Sequence, residues 1–136
     1  VKPAFLLDTN ILSDLIRNPQ GSVYRKIAEV GESSICTNWI VAGEIRFGVL
    51  KKDSPALRRQ AEAVLGVMPI LTLESGIDHH YAQIRLDLEE RGEMIGPNDL
   101  WIAAHTRTLN LTLITANETE FRRVPGLLVE NWLGGG

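Results

Sequence analysis

Ala4-Phe5-Leu6-Leu7 is an unbroken apolar run that stops at Asp8, after which the pattern changes period: Ile11, Leu12, Leu15 and Ile16 return at helical spacing until Asn18-Pro19-Gln20-Gly21 interrupts them. A short continuous run reads as a strand covered on both faces, and the 3.6-residue period behind it as an amphipathic helix. Thr9 or Asn10 is the expected cap of that helix. The alternation then repeats. Val23, Ile27 and Val30 mark a second helix ended by Gly31, Ser34 to Thr37 a second strand, and Trp39 to Leu50 a helix rich in apolar residues. Asp53-Ser54-Pro55 starts a helix through Leu57, Ala61, Val64 and Leu65, since proline is tolerated in a first turn. Ile70 to Leu73 is a third strand, Ile77, Tyr81, Ile84 and Leu88 line a helix ended by Gly92, and Pro97-Asn98-Asp99 opens another reaching Leu109. Leu111 to Thr115 and Leu127 to Val129 supply the fourth and fifth strands.

Strands separated by helices in this order imply an α/β fold, a parallel sheet of about five strands in three layers with helices on both faces. The 136 residues suffice for one core and not for two, so residues 1–133 are expected to form a single domain and 134–136 a flexible glycine tail. Hydrophobic residues make up 44% and charged residues 23%, a balance that excludes a disordered chain.

Seventeen acidic against fourteen basic side chains leave a net charge of −3, which argues against a protein that coats nucleic acid through bulk charge. Nucleic-acid binding has to be local, on a rim built from Lys51-Lys52, Arg58-Arg59 or Arg122-Arg123. The first apolar run is too short for a signal peptide or a membrane span, so a cytoplasmic location and no membrane contact are expected. Cys36, the single cysteine, reads as a small buried residue rather than a nucleophile. Of Trp39, Trp101 and Trp132, at least two are expected in the core, and Trp132 is the one expected at the surface.

Three carboxylates stand where apolar or capping residues belong. Glu44 points between Ile40, Val41, Phe47 and Gly48, the middle of an apolar helical arc. A carboxylate taken into the interior costs several kcal/mol, so it needs an arginine, a shared proton or a cation. Asp8 ends a buried strand, where ligands of open α/β sheets bind, although it could equally be an N-cap. Asp99 lies in the first turn of a helix, a position the macrodipole alone would favour, with Asn98 as a competent cap. If the three converge, each pair about 4 Å apart repels by about 4 kcal/mol at an effective dielectric of 20. A hard divalent cation, Mg²⁺ or Mn²⁺, relieves that repulsion with oxygen ligands, and the absence of His or Cys at ligand spacing disfavours zinc.

The same residues resemble a known family. Leu6-Leu7-Asp8-Thr9-Asn10-Ile11-Leu12, Ile40 to Gly48 around Glu44, Asn98-Asp99-Leu100-Trp101-Ile102-Ala103-Ala104, and Leu113-Ile114-Thr115-Ala116-Asn117 with Glu120-Phe121 resemble, in order, the four motifs of PIN-domain proteins. The chain is most like the VapC and FitB-like branch, toxins of bacterial toxin–antitoxin pairs. The resemblance implies a PIN-like sheet, endoribonuclease activity with Mg²⁺ or Mn²⁺, a homodimer, and a small cognate antitoxin that shuts the site and itself holds operator DNA. By position it makes Asp8, Glu44 and Asp99 the acidic triad and Thr115 the hydroxyl residue beside it. Many relatives carry aspartate where this chain has Asn117, so the fourth ligand is either Asn117, through its carbonyl or a water, or Glu120.

Two rival functions remain at this level, beside a phospho-receiver domain of similar length for which nothing marks an acidic pocket with a partnering lysine. One is a catalytically weak binding module that acts through its antitoxin, which Asn117 favours. The other is a metal-independent ribonuclease using His79, His80 or His105, which is disfavoured because adjacent helical residues diverge by about 100°.

Overall fold

The computed structural model describes residues 2–134, so Gly135 and Gly136 of the expected tail lie outside the described residues. Five strands form the sheet: β1 (Phe5–Leu7), β2 (Ile35–Asn38), β3 (Ile70–Leu71), β4 (Thr112–Ile114) and β5 (Leu128–Glu130). The helices are α1 (Thr9–Arg17), α2 (Ser22–Val30), α3 (Trp39–Lys52), α4 (Pro55–Leu65), α5 (Ile77–Arg91), α6 (Pro97–Thr108) and α7 (Glu118–Phe121). The third strand is shorter than its apolar run because the chain leaves the sheet at Thr72, and Leu73 is exposed. The one-turn α7 has no counterpart in the apolar periodicity, being too short to show one.

The sheet order is β3-β2-β1-β4-β5 and every pairing is parallel. β1 is central, and both of its neighbours cover its edges, which is why Leu6 and Leu7 are fully buried. Helices α1 to α4 pack among themselves and α5 packs on α6. Right-handed crossovers running outward from β1 to β3 and then back across to β4 put these two groups on opposite faces of the sheet. The core between the layers includes Leu6, Leu7, Ile35, Leu113 and Ile114. Each contributes about 1.5–3 kcal/mol of burial.

The strand order reverses between β1 and β4, and a crevice opens beyond the carboxyl ends of strands at such a reversal. Asp8 follows β1 directly and Thr115 follows β4 directly. The Asp8 amide donates to Ile114 O at 2.9 Å, so the two chain ends are stitched together at that crevice.

Candidate active site

Asp8 occupies the N-cap position of α1, ahead of Thr9 and Asn10 and as its alternative reading allowed, yet its carboxylate makes no capping hydrogen bond. Instead Asp8 Oδ2 accepts from Thr115 Oγ1 at 2.8 Å, and that hydroxyl in turn accepts from the Asn117 amide at 3.0 Å. This relay settles which way Thr115 donates. Asp8 and Thr115 are both buried. Burial raises the Asp8 pKa above the usual carboxylate value; hydrogen bonds from Thr115 and the Thr9 backbone oppose this, while the Glu44 charge adds to it.

Glu44 is half-buried rather than central to an apolar face. Helix α3 is apolar nearly all round: Val41, Ala42 and Ile45 face the core, whereas Trp39 and Phe47 are 60% and 65% exposed, so the arc expected around Glu44 is two faces with the glutamate at their border. Among the described residues no arginine clasps it. Its Oε1 accepts from Thr9 Oγ1 in a short contact, and its Oε2 lies 3.4 Å from Asn98 Nδ2. Asn98 therefore serves Glu44; α6 begins at Pro97 after Gly96, so Asn98 is not its cap. Neither Thr9 nor Asn98 carries a sequence signal beyond standing next to an acid.

Asp99 sits in the first turn of α6, which meets α3 at this edge of the domain. A side chain at Gly96 would bring its Cβ to 3.4 Å from Asp99 Oδ2, so glycine leaves that edge of the carboxylate open. The Asp99 pKa is pushed up to about 6, first by burial and then by the charges of Asp8, Glu44 and Glu120. Four acids from four separate elements thus share one electrostatic field. Among the described residues no lysine or arginine forms an ion pair with any of them.

Of the two candidates for the fourth position, Glu120 adds its charge to the field at Asp99. Glu118 is taken by Arg122 and Asn131, while the Asn117 side chain makes no hydrogen bond among the described residues. The donor set is all carboxylate and hydroxyl oxygen, which fits Mg²⁺ or Mn²⁺ by hardness and charge. Among the described residues no three of these acids stand close enough to form a ready-made cage, so the fit lies in uncompensated charge rather than in finished coordination.

The other expectations divide. Cys36 is buried in β2 and its thiol is pushed up to about 12 by desolvation, as an inert core residue should be. Trp132, expected at the surface, is 6% exposed, its ring 5.2 Å from that of Phe5 in the central strand, because the chain after edge strand β5 turns back toward the core; Trp39 is the exposed one. Trp101 stacks on Tyr81 at 3.9 Å. The basic rim shrinks, since Arg122 and Arg123 are engaged with Glu118 and Glu93. His105 is buried against Asn38 and His80 accepts from Arg107, so neither stands with the acids.

A parallel α/β sheet with uncompensated acids gathered where its strand order reverses is the class of protein that fold and site define. The chain belongs to the PIN-domain family, whose pattern it matches over residues 5–127. It is 34% identical over 130 residues to a Rickettsia felis protein named Ribonuclease VapC2, covering 94% of this chain and 97% of the relative. It is 33% identical over 129 residues to a Shigella flexneri protein named tRNA(fMet)-specific endonuclease VapC, with the same coverage. In structure it is similar to the crystal structure of VapBC2 from Rickettsia felis bound to a DNA fragment from their promoter, with a TM-score of 0.87, 32% identity, and coverage of 97% of this chain and 99% of that one.

Proposed function

We propose that this protein is a Mg²⁺- or Mn²⁺-dependent endoribonuclease, the toxin of a toxin–antitoxin pair. The observation that carries the reading is the field of Asp8, Glu44, Asp99 and Glu120, which no basic side chain among the described residues neutralises. The names of the VapC relatives support RNA as the substrate, and the VapBC complex supports an antitoxin partner that carries the operator DNA. A cytoplasmic location belongs to the same proposal; among the described residues no helix is long and apolar enough to cross a membrane. Glu120 beside Asp99 weakens the case for a catalytically weak binding module, which drew on the missing acid at Asn117.

Asp8, Glu44 and Asp99 would hold the cation, with Glu120 completing the charge. A bound divalent ion in such a site lowers the pKa of water and neutralises charge on phosphate oxygens. The protein's own groups do the rest. Thr115 holds Asp8 in one rotamer and keeps it ionisable despite burial. Thr9 and Asn98 grip the two oxygens of Glu44 from different elements, so the carboxylate reaches the crevice in a fixed pose. Burial and its acidic neighbours push the Asp99 pKa up to about 6, and a cation held there would favour its charged form.

A homodimer is part of the proposal. Trp39, Phe47 and Leu50, 60%, 65% and 69% exposed, form one apolar stripe along α3. Such a stripe on an isolated chain supports a partner surface.

Purified protein should cut RNA only with added Mg²⁺ or Mn²⁺, and Asp8→Asn should abolish cutting while leaving circular dichroism unchanged. Cleavage that survives a chelator, or an Asp8→Asn variant of full activity, would reject the reading.

A further inference from the structure

Outside the acid cluster, Asn38 and His105, 0% and 1% exposed, form a fully enclosed polar pair. Asn38 ends β2 and caps α3: its Oδ1 accepts from the Val41 amide at 2.9 Å. With the oxygen so used, the atom that lies 3.0 Å from His105 Nδ1 is the amide nitrogen Nδ2, which can only donate. Nδ1 must then offer a lone pair, and the ring is neutral with its proton on Nε2. Burial acts in the same sense, holding the His105 pKa below its ordinary 6.5, with the Glu74 charge opposing it. The ring also lines a cavity of about 290 Å³, whose charged neighbours are Glu74, from the loop after β3, and Lys2, from the N-terminal segment. On the adjoining α5, His80 and Gln83 are occupied with Arg107.

Besides this cap, α3 is held by packing against its neighbours and by the Thr9 and Asn98 contacts to Glu44. Trp39 is exposed, Gly43 is a weak helix former with open space where a side chain would be, and only Val41 and Ala42 of the first turns are buried. Glu44 follows Asn38 by six residues, about 9 Å along the axis. If the Asn38 amide turned over, its NH₂ would oppose the Val41 N–H and the cap would be lost; the acceptor on His105 adds to the Val41 N–H in opposing that turn.

We propose that neutral His105 is a positioning residue for the acid cluster: by accepting from Asn38 it locks the amide that caps α3, and so sets where α3 presents Glu44. The consequence for cleavage rests on the nuclease reading above, while the hydrogen-bond chemistry does not.

The test uses the full chain. Ring-nitrogen NMR at pH 7 should show His105 with a bare Nδ1 and a protonated Nε2; a protonated Nδ1 overturns the proposal. His105→Leu removes the acceptor, and it should speed exchange of the Val41 amide by about five- to tenfold, as expected for a lost cap. It should also lower kcat for RNA by roughly tenfold with KM nearly unchanged. His105→Asn, which places an oxygen near the position of Nδ1, should recover both, which a merely space-filling role would not require. Loss in both variants alike, or in neither, overturns the proposal. If His105→Leu does not fold, Asn38→Asp decides: it keeps the cap oxygen and removes the donor, so the His105 pKa should climb above 6.5 in an NMR titration, and a value that stays low overturns the proposal. If the wild type cuts no RNA, the nuclease reading fails by itself, and the tautomer and Val41 exchange still decide the coupling.

Discussion

At the scale of single residues, Asp99 shows how function works against folding. Its pKa rises from 3.8 unfolded to about 6 folded, so between those values the native state binds more protons than the unfolded chain. Stability therefore falls as pH climbs through that window, and the deficit persists above it. Asp99→Asn should thus melt higher than the wild type at pH 7.5, by about 2 kcal/mol or roughly 5–8 °C, and the gap should close by about pH 4. Added Mg²⁺ should raise the wild-type melting temperature and leave the variant's nearly still. A variant that melts no higher would show that the acids do not share a field. Glu120 and Asn117 can be separated in the same spirit by titrating Mn²⁺ calorimetrically. Glu120→Gln should weaken binding by roughly tenfold, about 1.4 kcal/mol, and Asn117→Ala by much less. Asp8 and Asp99 stood out in the sequence because they fall at the ends of apolar elements, and Glu44 because it breaks a run of apolar residues. Thr9 and Asn98 did not, because a hydroxyl or amide costs little at a surface and leaves no anomaly to notice.

At the scale of elements, the strongly periodic helices were readable and the shortest pieces were not. Helix α1 buries Ile11, Leu12, Leu15 and Ile16, the residues its period marks. Helix α4 starts with Ser54 accepting from the Leu57 amide at 3.2 Å and proline in the first turn, as its sequence implies. Helix α7 escaped because its four residues expose no period; what fixes it is Phe121, fully buried beneath it. That single anchor also sets Glu120, one residue before. Phe121→Ala should cost about 3–5 kcal/mol in urea denaturation and also weaken Mn²⁺ binding beyond what the Glu120 change does alone. Helix α3 misled the eye for the opposite reason, since apolar residues on two faces merge into one arc when only the sequence is seen.

At the scale of the whole molecule, the outward stripe of α3 gives that second face a purpose. An apolar helix side left to solvent is costly, and a second copy of the chain would remove Trp39, Phe47 and Leu50 from water together. Phe47→Glu should therefore shift the protein from dimer to monomer in light scattering while the fold persists, because Phe47 makes no core contribution within one chain. A wild type that is monomeric at micromolar concentration would remove the stripe from the argument. The low net charge of −3 fits a protein that meets RNA at a local site, with Lys51, Lys52, Arg58 and Arg59 among its exposed cations.

Local pattern by itself determined the elements, their alternation, and hence a parallel sheet between helical layers, since periodicity and crossover handedness are short-range properties. It also marked three acids as out of place. Only the tertiary structure decided that the Asp8 carboxylate serves Thr115 rather than a helix end, that Glu44 is held by Thr9 and Asn98, and that the Glu120 charge is felt at Asp99. It alone paired Asn38 with His105 across 67 residues. The physical reason is one of range: a period is written along the chain, whereas desolvation, charge repulsion and the direction of a hydrogen bond depend on groups that sequence keeps apart and only packing brings together.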